Sequence, residues 1–232
     1  MAENQLSDYL KSLGADLVGF ANLENINTSS TQNMNYGIAL GIKLNPTVIR
    51  GISAGPNKEY YEEYKKVNEC LDNITIACVK YINELGYNGV GQTSTYVTTN
   101  DNLNTPLPHK TVATRAGLGW IGKNALLIVP EYGSAIRISS VITNMPLITS
   151  EPINESKCGK CNRCAEACPA SAIKGNLWNV NLKREDLLDA LKCRLKAREL
   201  LKQRIGIESA ICGKCIEICP FTQKYINSHK LN

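Results

Sequence analysis

No apolar run in this 232-residue chain approaches the length of a membrane span; the best, residues 36–42 and 125–129, are strand-sized. That predicts a soluble, cytoplasmic protein with no membrane partner. The opening residues Met1, Ala2, Glu3 and Asn4 carry no basic region, apolar stretch or cleavage site of a secretory leader, which argues against an oxidising compartment and so against disulfides. Histidine is scarce, with only His109 and His229, and His229 lies in a tail expected to fray, so His109 alone is placed to titrate near neutrality. Low-complexity segments are missing. Helical and strand patterns do not alternate regularly, which favours an α+β or sandwich arrangement over a doubly wound parallel sheet.

Cysteine is the opposite case. Eight of the ten crowd into the last third: Cys158, Cys161, Cys164 and Cys168 in the spacing C-x-x-C-x-x-C-x-x-x-C-P, then Cys193, Cys212, Cys215 and Cys219. A [4Fe-4S] cluster takes four thiolates, and in bacterial two-cluster ferredoxins the fourth cysteine of each run serves the other cluster. The expected sets are therefore Cys158, Cys161, Cys164 and Cys219 for one cluster, and Cys168, Cys193, Cys212 and Cys215 for the second. A regular second run would need cysteine at 209, where Ser209 stands, and Cys193 completes the count. Pro169 and Pro220 follow the final cysteine of each run and fix the backbone leaving the ligand. Structural zinc uses paired C-x-x-C units or mixed Cys/His sets, which this spacing is not. Cys70 and Cys78 stand apart in a helical pattern and read as buried free thiols.

The formal charge of +5 treats all these thiols as neutral. Two oxidised clusters with their thiolates each carry roughly two negative charges, which brings the loaded protein near neutrality and removes net charge as an argument for nucleic acid. Lys183, Arg184, Lys192, Arg194, Lys196, Arg198, Lys202 and Arg204 predict one basic helix around Cys193. A solvated face balancing the clusters is preferred there over a docking surface for an acidic partner or RNA.

Apolar periodicity predicts a helix over 5–13, strands over 16–21 and 36–42, and a long core helix over 58–85 with Tyr61, Tyr64, Val67, Leu71, Ile74, Cys78, Tyr81 and Leu85 inward. Further strands are expected near 90–98, 125–129 and 135–143. The division expected is a cofactor-binding domain over 1–152 and a cluster domain over 153–232, whose clusters substitute for a hydrophobic core. The segment Gly117-Leu-Gly119-Trp120-Ile-Gly122-Lys123-Asn124 imitates G-x-G-x-x-G and nearly imitates a P-loop. A dinucleotide site needs a strand before the glycines and a helix after, whereas a helix over 109–116 precedes and a strand follows; Asn124 lacks the P-loop hydroxyl. A tight turn presenting Trp120 and Lys123 remains.

Taken with residues 106–128, which read Pro-Leu-Pro-His109-Lys110-Thr-Val-Ala-Thr-Arg-Ala-Gly-Leu-Gly-Trp-Ile-Gly-Lys-Asn-Ala-Leu-Leu-Ile, then Tyr132-Gly-Ser134 and the split cysteine set, the chain resembles the epoxyqueuosine reductase family. The resemblance runs from Leu13-Gly-Ala-Asp-Leu-Val-Gly19 to Cys219-Pro220. It implies an α+β fold: a nitroreductase-like, cobalamin-reductase-type N-terminal domain followed by a bacterial two-cluster ferredoxin-like domain. It also implies base-off cobalamin beside one cluster, reduced to Co(I), as in related corrinoid reductases such as reductive dehalogenases. Lys110, Gly119, Trp120 and Lys123 match positions that border the corrin. The family's proton-donating aspartate corresponds to Leu103, with Asp101 two residues earlier; its glutamate beside the basic residue is His109; and the sequence stops at Asn232 without the C-terminal extension of many tRNA-acting members. Asp101, Tyr96 and His109, with Lys110, are the proton-donor candidates.

The reading that follows is an iron-sulfur oxidoreductase, fed by ferredoxin or flavodoxin and passing electrons through both clusters to cobalamin for reductive cleavage of a small substrate. Its rivals are an electron carrier that reduces a partner such as a corrinoid protein, a protein binding flavin or no further cofactor, and a tRNA-modifying enzyme whose binding weakens with salt.

Overall fold

The computed structural model describes residues 2–26, 31, 34–95, 101 and 103–229. Its chain groups into two compact units, one formed by Met1–Lys43, Lys66–Gly119 and Arg137–Ile153, the other by Leu44–Lys65, Trp120–Ile136 and Asn154–Asn232. The second unit thus draws on three stretches of sequence, where cysteine content marks only the last.

In the first unit, α1 (Ala2–Ser12), β1 (Leu17–Asn22) and β2 (Tyr36–Lys43) follow the expected pattern. β1 pairs antiparallel with β2, with Leu17 opposite Gly41. After α2 (Pro46–Arg50), α3 (Lys58–Glu84) runs 27 residues. The 3.6-residue period buries Val67, Leu71, Ile74, Cys78 and Ile82. At its start Tyr60 is buried in place of the expected Tyr61, and Leu85 is exposed. β3 spans only Gly89–Gln92, short of the expected strand to 98, part of which lies outside the described residues. α4 (His109–Arg115) precedes β4 (Trp120–Ile121), β5 (Leu127–Ile128) and β6 (Ile136–Thr143). The sheet order is β1-β2-β6-β3, with β3 antiparallel to β6. Helices and strands mix without βαβ repetition, so the class is α+β.

In the second unit β4 and β5 form a small antiparallel hairpin closed by Gly122 N to Leu126 O at 2.9 Å. The glycine segment is therefore a hairpin entrance, which disposes of both phosphate-loop readings. The cysteine-rich part carries α5 (Arg163–Glu166), α6 (Arg184–Leu187), α7 (Ala190–Ile205), α8 (Lys214–Glu217) and α9 (Pro220–Ser228). The single basic helix expected over 183–204 is two: Leu188 is extended and Asp189 caps α7 by accepting from Lys192 N at 2.9 Å, because an aspartate there satisfies an orphan N–H better than helix continuation does. Pro220 opens α9 at a position that needs no N–H donor.

The early stretch 44–65 belongs with this unit through specific bonds. Leu44 O accepts from Tyr225 Oη at 2.8 Å, Ile226 O from Arg50 at 2.8 Å, and Pro56 O from Arg204 Nε at 2.8 Å. Each charged or hydroxyl donor closes a backbone carbonyl that would otherwise be stranded. No helix among the described residues is long and apolar enough to cross a membrane.

Candidate metal centre

Three of the first-run cysteines sit at the ends of a single short turn. Cys161 N donates to Cys158 O at 3.2 Å, and α5 carries Cys164 one turn on, so the C-x-x-C-x-x-C spacing folds its sulfurs toward one side. They meet Cys219, which immediately precedes α9. Cys158, Cys161, Cys164 and Cys219 line one cavity together with Lys123, Asn124, Ile128, Pro220 and Phe221.

The electrostatics sort the eight thiols into the same two sets. Burial first, and then the neighbouring Cys158, Cys219 and Cys161, push Cys164 up to about 11. Burial likewise raises Cys193, with Cys168 and Cys212 adding to it, while burial drives the half-buried Cys215 well above the ordinary thiol range with Cys193 and Cys212 as its foremost neighbours. Mutual repulsion of this kind requires proximity. Cys164 acts on Cys215 as well, ahead of Cys168, so the two sets are close neighbours within this unit. Among the described residues no three His, Cys, Asp or Glu side chains close around a single ion.

Backbone donors aim at the sulfurs. Ala172 N donates to Cys168 Sγ at 3.4 Å, and burial of Cys219 is opposed by the N–H groups of Thr222 and Phe221 at the start of α9. Such donors stabilise negative sulfur and tune a cluster's potential. The residues present therefore fit two cubanes.

Behind the cysteines lies a polar brace that sequence reasoning missed. Asn124 Nδ2 donates to Cys215 O at 3.3 Å and its Oδ1 accepts from Leu126 N at 3.2 Å; Ser134 N donates to Thr222 Oγ1 at 3.0 Å. Asn124 entered the sequence argument only as a residue without a hydroxyl, and the Tyr132-Gly-Ser134 motif was the one hint to Ser134. Trp120 is buried edge-on to Phe221 with centroids 5.0 Å apart, and the Lys157 ammonium lies 5.8 Å from its ring centre.

Gly213, between Cys212 and Cys215, has φ +76°, and a Cβ there would run into Ile52 and lie 2.9 Å from the Tyr60 ring. Gly206 has a similar φ of +73° but open space around it. Both Gly→Ala changes carry the left-handed cost of about 1 kcal/mol, and Gly213→Ala adds overpacking of roughly 1–3 kcal/mol. Gly213→Ala is expected to lose iron to a chelator several times faster than Gly206→Ala. Equal rates refute the packing argument.

The residues that the resemblance expects to border a corrin are divided: Lys110 and Gly119 lie in the first unit, Trp120 and Lys123 in the second. Asp101 is exposed, Leu103 has a left-handed φ of +61°, and Tyr96 lies outside the described residues. His109 Nδ1 meets Ser140 Oγ at 2.9 Å, and that hydroxyl donates to Gln92 Oε1 at 2.9 Å. The ring is thus held with its proton on Nδ1, and Nε2 is buried without a hydrogen-bond partner among the described residues. Cys78 is fully buried and pushed up to about 12 by burial, whereas Cys70 is only half-buried, contrary to expectation.

Residues 157–222 match the 4Fe-4S double cluster binding domain. An epoxyqueuosine reductase of Listeria monocytogenes is 38% identical over 120 residues, which are 48% of this chain and 29% of that protein. Across two such relatives the match spans 29% to 41% of the relative's own length. Among solved structures, an epoxyqueuosine reductase with an epoxyqueuosine-modified tRNA-Tyr stem loop superposes with a TM-score of 0.63 at 21% identity, over 96% of this chain and 65% of that one. A reductive dehalogenase whose structure suggested a mechanism for B12-dependent dehalogenation gives 0.69 at 18%, over 97% and 34%. The chain is thus similar to epoxyqueuosine reductases over about half its length and matches the 4Fe-4S double cluster binding domain over residues 157–222.

Proposed function

We propose that this protein is an iron-sulfur oxidoreductase that passes low-potential electrons through two [4Fe-4S] clusters to a cofactor held by the first unit, for reductive cleavage of a substrate. Cys158, Cys161, Cys164 and Cys219 hold one cluster, and Cys168, Cys193, Cys212 and Cys215 the other. The observation that carries the reading is the convergence of Cys158, Cys161, Cys164 and Cys219 on one cavity, with the other four thiols close by in the same unit.

The proposed cofactor is base-off cobalamin in a nitroreductase-like fold, which supplies a cobalt centre able to accept very low-potential electrons. Support on the protein's side comes from His109: its bare Nε2 is a buried acceptor, and the amide groups around a corrin are donors of the kind that would satisfy it. Lys110, in the first turn of the same helix, is the proposed basic neighbour. Ferredoxin or flavodoxin is the proposed electron donor and the cytoplasm the proposed compartment. The tRNA stem loop bound by one structural relative makes tRNA a candidate substrate alongside small molecules.

The second reading, an electron carrier for a corrinoid or other partner protein, is favoured by one observation. Where the family places its aspartate this chain has Leu103, and the nearby Asp101 is exposed. Titrating cob(II)alamin into the anaerobically reconstituted protein under electron paramagnetic resonance separates the two. Conversion to the base-off spectrum at one equivalent is expected; a base-on spectrum unchanged in the presence of both clusters overturns the cobalamin reading and leaves the carrier.

A further inference from the structure

Lys123 is a buried cation with no carboxylate partner among the described residues. Its residue surface is 5% exposed, and its Nζ donates at 2.8 Å to the neutral amide oxygen of Asn162, beside Cys161. Among the described residues no carboxylate pairs with it. A charge removed from water without a counter-ion is costly enough that proteins seldom tolerate it. The same ammonium-bearing side chain lines the cavity of Cys158, Cys161, Cys164 and Cys219, where four thiolates around a cubane leave a net negative charge.

The second cysteine set has a different neighbour. Lys214, between Cys212 and Cys215, pairs with the Glu217 carboxylate at 2.8 Å and donates to Ser53 O at 2.8 Å, so its charge is shared with a carboxylate even as it acts on Cys212. Lys157, Lys160 and Arg163, which flank the first run, are exposed and screened by solvent. Among the described residues, the buried cation without a carboxylate partner therefore stands beside the first set.

We infer that Lys123 is the counter-charge of the first cluster and raises its reduction potential above that of the second, so that a singly reduced protein holds its electron on the Cys158, Cys161, Cys164 and Cys219 cluster. The step is a one-electron exchange: the second cluster, reduced by an external low-potential one-electron donor, is reoxidised by one electron as the first gains it, with no bond made or broken. Lys123 is a positioning residue for charge, and it fixes the direction of flow. The physical basis is that adding an electron to an already anionic cluster is easier beside a fixed cation in a poorly screened interior. This inference rests on the two-cluster reading above, and iron content separates the two claims.

The test is a mediated redox titration of the reconstituted full-length protein, followed by electron paramagnetic resonance, on samples first assayed for iron. Wild type at about eight iron atoms per chain satisfies the two-cluster reading; about four or fewer defeats that reading before Lys123 is tested. Lys123→Met is expected to shift one of the two reduction waves to lower potential by at least tenfold in the reduced-to-oxidised ratio, about 59 mV for a one-electron couple. Lys123→Arg keeps the charge and should stay within threefold of wild type, as should the exposed Lys160→Met. Equal movement of both waves, movement of neither, or the same shift in Lys123→Arg overturns the inference. If Lys123→Met loses one cluster while Lys123→Arg keeps both, the counter-charge role stands; if both variants lose it, Lys123 is a packing residue and the inference fails.

Discussion

Cys193→Ala is expected to lower bound iron from about eight to about four atoms per chain and to remove one of two reduced-cluster signals, while Cys70→Ala keeps both. Cys193 lies in the first turn of α7, twenty-five residues after Cys168 and nineteen before Cys212, where no local repeat announces it. Its thiol is raised by burial first and then by Cys168 and Cys212, the company of a cluster ligand. Without it the second cubane has three protein sulfurs, and an open iron corner is labile. The backbone at this point does not depend on the thiol, since Asp189 caps α7 and Gly206 ends it in a left-handed turn. A variant that folds but loads half is therefore the expected product, and iron analysis with low-temperature spectroscopy reads it directly. Cys161→Ala should lose the other signal. A Cys193→Ala protein that retains both signals would return Cys193 to the status of an ordinary helical thiol.

The proposed assignment could be drawn from the sequence because cluster ligation is a counting problem: sulfurs come in fours, and spacing says which belong to one turn. The long helix α3 was legible for a similar reason, since burial of Val67, Leu71, Ile74 and Cys78 follows a period that residue type alone displays. The composition of the second unit was not. Leu44–Lys65 and Trp120–Ile136 join it through carbonyls accepting from Tyr225, Arg50, Arg204 and Lys214, and any residue offers a carbonyl, so the acceptors leave no sequence signal. The same blindness affected Lys123. Its motif resembled a corrin-bordering loop, and only its burial against the cysteine cavity and its neutral partner Asn162 give it another role. The break between α6 and α7 was missed because eight basic residues across the segment spoke for one continuous solvated face, while a single aspartate decided the boundary.

His109 is expected to titrate near pH 4 in the native protein rather than near 6.5, and to cost stability as the medium is acidified. Burial is the larger cause and the Arg137 cation the second; the Thr93 backbone and the Asp72 carboxylate act the other way without prevailing. Ser140, held by Gln92, keeps the proton on Nδ1 and leaves Nε2 as a bare acceptor. Between pH 6.5 and 4 the unfolded chain binds a proton that the native ring refuses, so stability is full above the unfolded value and falls as pH drops, by on the order of 3 kcal/mol once pH 4 is reached. His109→Gln removes that proton linkage. The stability difference between wild type and variant should narrow or invert by about that amount from pH 7 to 4, and acid damage to the clusters, common to both, cancels in the comparison. The chain has only two histidines, so ring proton resonances identify His109 without ambiguity. Titration near 6.5 would overturn the account. A ring neutral at physiological pH suits the proposed role of His109 as a hydrogen-bond acceptor better than that of a proton donor. A ligand that donates to Nε2 favours the neutral ring further, so cofactor loading is expected to drive the titration lower still.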